Sequence, residues 1–383
     1  MLIPTSKAYG DDFTLTPSIS LEQSFKDNVL LEPSTGEDVN DYVTTVSPSI
    51  RMHERTERLD LDVSGDLSRF LYRDNTGFDA TDKSASSNLS YRISEISNLS
   101  LSAEYRDDSQ PDRDINQTGL ILDTTERILN QYNFTWSQAL SEKTSWQANL
   151  SRDEETYKNP KYIDNSTNSI DLALSRNIED FLENSSVSID ASFQRVDFSR
   201  SIEDHVDISS LSLGMQKNIT QTISTQFSVG VQSSVSTFDA WFMPTLHERD
   251  QGMVGQFLLK ETLEYGERSL SISHNIGVNS GGSGLTNRTS VVFNVNRRFT
   301  EELSASLSCD YFQNKVGTSN VSTTNYDVQT FTINPGLSYQ FNNSWRAIAQ
   351  YEYIHIHEDT GNSSNIRAST ISMSITYSFK LME

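Results

Sequence analysis

The chain contains one cysteine, Cys309, among its 383 residues. A single thiol cannot form an intramolecular disulfide and cannot supply a thiolate cluster for a metal. Cys309 follows Leu303, Ala305 and Leu307 and precedes Tyr311 at alternate positions, which indicates a small structural residue on an apolar strand face. The cysteine count therefore excludes a disulfide-stapled fold and a thiol metal centre.

Long hydrophobic runs are also missing. Hydrophobic residues make up 35% of the chain, and the longest purely apolar run is about four residues, Ala240 to Met243. A transmembrane helix needs about 20 apolar residues. The sequence thus excludes helical membrane spans.

Basic residues are few relative to acidic ones. The chain has 30 Lys and Arg against 52 Asp and Glu, a formal charge of −22. Nucleic-acid binding requires a basic surface, so no nucleic-acid partner is expected. Much of the acid lies in the longer connectors between predicted strands, at Glu32, Glu37, Asp38, Asp41, Asp107, Asp108, Asp112 and Asp114.

Catalytic motifs are absent from the sequence. There is no phosphate loop, dinucleotide fingerprint, zincin histidine pair or nucleophile elbow. His355 and His357 share a strand face but have no third metal ligand in sequence, so rim positions are favoured over a metal site. Asp204, His205 and Asp207 form a weak acid–base candidate. The sequence predicts no enzyme, no catalytic residue, no cofactor and no metal.

A strict period of two is the dominant pattern. Apolar residues occupy the odd positions from Ile371 to Phe379, and hydroxyl residues occupy the even positions from Ser372 to Ser378. This alternation is typical of a strand with one apolar and one wet face. It recurs along nearly all of the chain, which predicts a repeating antiparallel meander. Half-polar strands also reconcile the low hydrophobic fraction with a membrane location.

Alternation and turn residues together predict about eighteen strands. The fold class is therefore all-β, a transmembrane antiparallel up-and-down β-barrel in a single domain over residues 11–383. Residues 1–10, with Ala8 and Gly10 in a small-x-small pattern, are interpreted as a signal-peptide remnant. The strands are expected near 12–25, 42–53, 59–72, 84–94, 99–107, 125–138, 145–157, 167–177, 185–198, 204–217, 221–237, 250–263, 268–279, 287–298, 303–314, 327–341, 344–357 and 366–379.

Short and long connectors alternate along the chain. Tight turns at Glu54–Arg58, Ser141–Thr144 and Asn342–Asn343 alternate with longer segments such as Asp27–Asp41 and Asp108–Thr124. Bacterial barrels have this pattern, with the short turns in the periplasm. The predicted location is the outer membrane of a Gram-negative bacterium, with both termini in the periplasm. A barrel of this size encloses an aqueous channel unless a loop plugs it.

The alternation also assigns side chains to two faces. Leu59, Leu61 and Val63 are expected to face lipid, and Ser, Thr, Asn and Gln to line the lumen. Charged residues on the polar face are the candidate pore-lining residues. They are Asp60, Asp62, Asp66, Arg92, Glu104, Asp171, Asp190, Lys260, Arg298, Arg346 and Glu352.

The amino-terminal third carries a more specific pattern. Leu15–Val29, the Ser47-Pro48-Ser49 motif and the Arg58–Tyr72 strand resemble the outer-membrane β-barrel porins associated with exopolysaccharide export and exosortase systems. The resemblance implies a polysaccharide-export channel that works with a periplasmic polysaccharide-export protein. A general or substrate-specific diffusion porin and a barrel sheath for an extracellular electron-transfer cytochrome remain alternatives.

Two further partners are expected. Tyr377 and Phe379 resemble the carboxy-terminal signal read by the outer-membrane insertion machinery, although Lys380–Glu383 follow the usual final Phe. Outer-membrane lipid and lipopolysaccharide would surround the barrel.

Overall fold

The computed structural model describes residues 12–33, 39–121, 125–199, 203–238, 246–278, 285–316, 326–359 and 363–381. The predicted signal remnant, residues 1–10, lies outside this part of the chain. No helix within the described ranges is long and apolar enough to cross a membrane.

All eighteen predicted strands are present, with ends that shift by a few residues. The first nine are β1 (Asp12–Lys26), β2 (Asp41–Arg55), β3 (Leu59–Tyr72), β4 (Ala80–Ser94), β5 (Ser97–Asp108), β6 (Arg127–Ala139), β7 (Thr144–Tyr157), β8 (Asp164–Asn177) and β9 (Ser185–Ser199). The last nine are β10 (Glu203–Asn218), β11 (Ile223–Phe238), β12 (Leu246–Leu263), β13 (Gly266–Val278), β14 (Leu285–Arg298), β15 (Leu303–Val316), β16 (Tyr326–Gln340), β17 (Trp345–Asp359) and β18 (Ser363–Ser378). A 3₁₀ turn, Thr76–Phe78, and one short helix, α1 (Ile115–Thr118), lie in connectors.

The strands form one closed antiparallel barrel. Each pairs with its neighbours in sequence, from β1–β2 to β17–β18, and β1 also pairs with β18. The closing ladder runs from Ser18↔Ser378 to Lys26↔Thr370. Closure leaves no edge strand at the seam, which satisfies the backbone of both terminal strands within the wall. The predicted fold class is confirmed.

The tight turns at one end of the barrel share a hydrogen-bonding device. In five of these turns, a Ser, Thr or Asn side-chain oxygen accepts a hydrogen bond from the backbone N–H three residues later. The distances are 3.0 Å for Thr56 to Leu59, 3.1 Å for Ser141 to Thr144, 3.0 Å for Thr220 to Ile223, 2.9 Å for Thr300 to Leu303 and 3.0 Å for Asn342 to Trp345. Such side chains stabilise tight reversals locally. We call this end of the barrel the short-turn end and the other end the loop end.

The outer wall is apolar and the inner wall is polar over most of the barrel height. Ile189 on β9 and Leu211 on β10 are about half exposed on the outside. Ser188 and Asp190 lie on the opposite face, where the Ser188 hydroxyl donates to Asp190 Oδ2 at 2.8 Å. Near the short-turn end, the rings of Trp345 and Tyr377 lie 4.7 Å apart. An exposed apolar wall needs a lipid annulus, as the alternation predicts.

Toward the loop end, several strands, among them β9, β10, β16, β17 and β18, place apolar residues on the inner face as well. Ile354 and Ile356 on β17 are buried, while the intervening His355 lies on the outer face. The β17–β18 ladder continues through this region without a register shift. Alternate residues of β17 therefore continue to point to the same two faces, and the inner face changes from polar to apolar. Further inward apolar residues include Val196, Phe198, Val206, Ile208, Val328, Ile366 and Ala368.

Candidate functional site: a constricted lumen

The connector between β5 and β6 folds into the barrel. Its described part, residues 109–121, contains α1, and Ile115 is 1% exposed although it lies in a connector. Ile115 and Leu120 pack with Leu31 against the inward apolar residues of the far wall, which are Val328, Ile354, Ile356, Ile366 and Ala368. We call residues 109–121 the inward loop. It buries an apolar patch of β16–β18 that would otherwise face water.

Hydrogen bonds fasten the tip of the inward loop to the same wall. Asn314 Nδ2 donates to Thr118 O at 2.8 Å, and Thr330 Oγ1 donates to Gly119 O at 2.5 Å. Gly119 ends α1 with φ 69°, in the left-handed region. A Cβ at this position would lie 2.4 Å from the Cβ of Phe312. Only glycine meets both the backbone and the space requirement here.

Buried ion pairs hold the base of the inward loop. Arg127, 1% exposed, lies 2.8 Å from both Asp108 Oδ2 and Asp114 Oδ2 and 3.6 Å from Glu155 Oε1. Arg113 Nε is 3.3 Å from Asp108 Oδ1. Because these charges are shielded from water, loss of one partner would leave the others uncompensated.

On the opposite side of the loop, Lys26 Nζ lies 3.1 Å from Asp112 Oδ2. Burial raises the pKa of Asp112, but the charge and hydrogen bond of Lys26, a backbone hydrogen bond and the charge of Arg113 together hold that pKa below its ordinary value. Asp114 behaves differently. Burial raises its pKa above the ordinary range despite the nearby Arg127.

The β13–β14 hairpin also bends into the lumen. Among the described residues, its ladder with β12 ends at Gly255↔His274, although both strands continue. Beyond this point the carbonyl of Ile276 accepts a hydrogen bond from Gln232 Nε2 of β11 at 2.8 Å. We call the loop end of this hairpin, residues 275–278 and 285–288, the inward ribbon. The contact with β11 places the ribbon on the lumen side of β12.

Apolar packing supports this position of the ribbon. Leu285 packs against the inward cluster of Val196, Phe198, Val206 and Ile208 on β9 and β10. The ribbon therefore covers the second apolar patch of the inner wall, as the inward loop covers the first. Both elements are fixed by burial of apolar surface.

The loop and the ribbon meet at Asn314, which is fully buried. Arg288 Nε of the ribbon donates to Asn314 Oδ1 at 2.8 Å, while Asn314 Nδ2 donates to Thr118 O of the loop. A cavity lies beside this junction and is lined mainly by polar groups, among them Gln117, Gln131, Asp153, Asn165, Thr167 and Gln194. The lumen thus narrows to a polar passage near the loop end.

Below the constriction, hydroxyl groups line the inner wall. Serines pair across neighbouring strands, with Oγ–Oγ distances of 2.5 Å for Ser18–Ser49, 2.9 Å for Ser47–Ser68, 2.8 Å for Ser64–Ser86 and 2.5 Å for Ser151–Ser169. Each hydroxyl can both donate and accept. This part of the lumen offers many exchangeable hydrogen bonds.

The predicted pore-lining charges lie on strand faces opposite the exposed apolar side chains. Several have local partners. Asn149 Nδ2 donates to Asp171 at 3.2 Å, and Lys260 Nζ lies 2.8 Å from Glu267. The inner-face positions are those of Asp60, Asp62, Asp66, Arg92, Glu104, Asp171, Asp190, Lys260, Arg298, Arg346 and Glu352.

The structure separates the weak catalytic candidates. Asp204 is buried on the inner side, whereas His205 lies with Asp207 on the other face, where Arg195 binds Asp207 Oδ1 at 2.7 Å. Within the described residues, this group does not assemble an acid, a base and a nucleophile. The two histidines considered as a metal pair, His355 and His357, lie on the outer face, where His357 Nδ1 is 2.9 Å from Asn365 Oδ1. Among the described residues, no third His, Cys, Asp or Glu ligand joins them.

Sequence reasoning missed the residues that shape the constriction: Asp114, Arg127, Gly119, Asn314 and Gly252. A signal was available in β17, where Ile354 and Ile356 stand out of phase with Tyr351 and Tyr353. A change of apolar phase within an unbroken strand indicates a second apolar surface on the inner face. It does not indicate which segment covers that surface.

Comparisons with known proteins find structural likenesses at low sequence identity. No protein-family model matches the sequence, and no curated protein matches it. The copper transporter OprC aligns with TM-score 0.50 at 10% identity, covering 93% of this chain and 63% of that one. OccK2 (OpdF) of Pseudomonas aeruginosa aligns with TM-score 0.49 at 11% identity, covering 97% and 99%. The siderophore receptor PirA of the same species aligns with TM-score 0.48 at 11% identity, covering 95% and 80%.

These likenesses concern the barrel fold. An even-numbered, closed antiparallel barrel with an exposed apolar wall is the architecture of bacterial outer-membrane proteins. The chain is thus an outer-membrane barrel of a Gram-negative bacterium, in agreement with the sequence-based prediction.

Proposed function

We propose that the protein is a constricted outer-membrane channel for small hydrophilic solutes. The observation that carries the proposal is the inward loop, which crosses from β5–β6 to β15–β18 and is fastened there by Asn314 and Thr330. A loop held by buried contacts narrows the lumen, and the polar cavity beside it provides a wet path. Size, rather than one tight binding site, would then select the solutes.

The charges near the constriction favour cations. Carboxylates of Glu22, Asp112, Glu352 and Asp310 lie on the side of the loop where Lys26 is the nearby base. A field of one sign in a narrow passage concentrates ions of the opposite sign, most strongly at low salt. The pore-lining acids Asp60, Asp62 and Asp66 extend this field toward the short-turn end, which we assign to the periplasm.

Planar-bilayer recording tests the proposal. The wild-type barrel is expected to give a small, cation-preferring conductance, and a variant with residues 110–120 replaced by a short Gly-Ser linker is expected to give a larger one. Equal conductance in the two proteins would show that the inward loop is not the constriction. A wild-type barrel that conducts nothing while the linker variant conducts would show that the loop closes the lumen.

Export of exopolysaccharide is the second candidate. The serine pairs of the wider lumen favour it, because hydrated sugars pass along surfaces that offer many weak, exchangeable hydrogen bonds. It would require the proposed periplasmic polysaccharide-export protein to move the inward loop. Swelling of liposomes in saccharides of graded size separates the two functions. Exclusion of oligosaccharides by the wild type supports the small-solute channel, and their passage supports export.

We also infer that Tyr377, on β18, and Phe379, just after it, form the insertion signal. The rings of Tyr377 and Phe379 stack at 5.8 Å near the short-turn end, next to Trp345. Substitution of both by Ala is expected to reduce the amount of assembled barrel in the outer membrane. Unchanged assembly would contradict the inference.

A further inference from the structure

Three potential metal ligands converge on the inner wall near the short-turn end. His53 lies near the end of β2, and Asp60 and Asp62 lie near the start of β3. The antiparallel register places His53 directly opposite Asp62 and Arg55 opposite Asp60. Residues two apart on a strand share a face, so the two carboxylates and the imidazole project from the same side of the ladder.

The side chains meet closely. His53 Nδ1 lies 2.9 Å from Asp62 Oδ1 and 3.8 Å from Asp60 Oδ1. One ligand atom from each of the three residues lies within 4.8 Å of the other two. Ligands at about 2.0–2.2 Å from one Zn²⁺ ion lie roughly 3–4 Å apart, so small side-chain rotations would bring all three onto a single ion.

We propose that His53, Asp60 and Asp62 form a divalent transition-metal site on the lumen wall, with Zn²⁺ as a fitting ion. One imidazole nitrogen and two carboxylate oxygens suit Zn²⁺ better than Mg²⁺, which prefers an all-oxygen, largely hydrated shell. The three side chains are between one third and two thirds exposed, which leaves room for water at the remaining coordination positions. The strand ladder fixes their backbones, so little ordering is needed on binding.

A competing cation lies nearby without blocking the site. Arg55 Nε is 3.9 Å from Asp60 Oδ2, and its side chain is 68% exposed. A contact this long between exposed groups contributes little, and Arg55 can move into the lumen when a metal binds. In the part of the chain that the structure describes, no other three His, Cys, Asp or Glu residues bring their ligand atoms within 4.8 Å of one another.

Isothermal titration of the purified, tag-free full-length barrel in detergent with ZnCl₂ tests the proposal. One Zn²⁺ per chain is expected, with affinity reduced at least about tenfold in His53→Ala and in Asp62→Asn. Two matched controls should bind like the wild type. Asp66→Asn removes a carboxylate from the same face of β3, and His274→Ala removes an imidazole from the outer face of β13, where it contacts Thr289 Oγ1 at 2.9 Å.

Co²⁺ supplies a second readout that does not depend on affinity alone. Its visible absorption should show nitrogen ligation in the wild type and in Asp66→Asn, and that signature should disappear in His53→Ala. Circular dichroism of each variant checks that the barrel is intact. Wild-type affinity in His53→Ala would overturn the proposal, because it would mean that carboxylates alone attract the ion. Failure to saturate below millimolar Zn²⁺ would also overturn it. Since no transport is measured, the outcome is independent of the proposed channel function.

Discussion

Ile276 on β13 lies against Gly252 on β12, although the two residues belong to opposite faces of their strands. Ile276 continues the outward series of Leu270 and Ile272, whereas Gly252 belongs to the inner face of β12. A Cβ at Gly252 would lie 2.8 Å from Cδ1 of Ile276. The outer face of the inward ribbon therefore rests on the inner wall of the barrel, and the missing side chain of Gly252 makes room for it.

Gly252→Leu is expected to displace the inward ribbon and raise the single-channel conductance in planar bilayers. A leucine side chain would fill the space that Ile276 occupies, and packed interiors accept added volume poorly. Gly277→Leu is the matched control, because no heavy atom lies within 4 Å of a Cβ built there. Equal conductance in the two variants would contradict the position of the ribbon.

Gly119→Ala is expected to destabilise the inward loop. The left-handed φ of 69° disfavours any residue with a Cβ by about 1 kcal/mol, and the contact with Phe312 adds to this cost. Hydrogen exchange of the loop amides should accelerate while the strand amides stay protected. Gly77→Ala, with open space around its Cβ, should leave the exchange pattern unchanged. If the loop amides of Gly119→Ala exchange as slowly as those of the wild type, a Cβ is tolerated at position 119 and the described packing against Phe312 is contradicted.

Arg127→Met is expected to lower the free energy of unfolding by about 3–5 kcal/mol, because Asp108, Asp114 and Glu155 would lose their shared buried cation. Urea titration in detergent or lipid measures the change. The control is Arg152→Met, whose ion pair with Glu154 is about half exposed and should contribute at most about 1 kcal/mol. Similar losses of unfolding free energy in both variants would mean that the buried Arg127 ion pairs stabilise the fold no more than an exposed ion pair.

Acid is expected to loosen the inward loop through Asp112. Its pKa is held below the ordinary value in the folded state, so its contribution is fully present above the unfolded pKa of about 3.9 and is lost as pH falls through the folded pKa. The pKa of Asp114 is shifted in the opposite direction. Its raised pKa means that it takes up a proton at higher pH than a free Asp, and protonation relieves its cost of burial.

The pH test therefore uses an Asp114→Asn background. The protection of the loop amides against exchange, relative to the intrinsic exchange rate at each pH, should fall below about pH 4. In Lys26→Met, this protection should be low already at neutral pH. If protection of the loop amides does not change with pH down to the point where the barrel unfolds in acid, the Lys26–Asp112 pair does not hold the loop.

The two faces of β9 provide a membrane test. Ile189→Arg is expected to impair assembly, since a cation on the lipid face near the membrane centre costs about 2–4 kcal/mol. Asp190→Arg, the adjacent inward residue, should assemble at wild-type levels because it meets water. The amount of folded barrel in outer-membrane fractions distinguishes them. Identical behaviour would mean that the faces are assigned incorrectly.

The strands, their pairing order and their short turns could be predicted from the sequence because each depends on neighbouring residues. Period-two alternation defines the faces of β9, and Thr56, Ser141 and Asn342 close turns through side chains that act within three residues. Closure of the barrel follows, since eighteen such strands in a meander need their first and last edges paired.

The constriction was decided by the tertiary structure. Alternation tells which residues share a face, but it does not tell what lies across the lumen from that face. Ile115 meets Ile356, and Asn314 meets Thr118 across 196 residues of sequence, only because the barrel is closed and its far wall comes within reach of the loop. Contacts of this kind depend on distances in space that no local sequence pattern records.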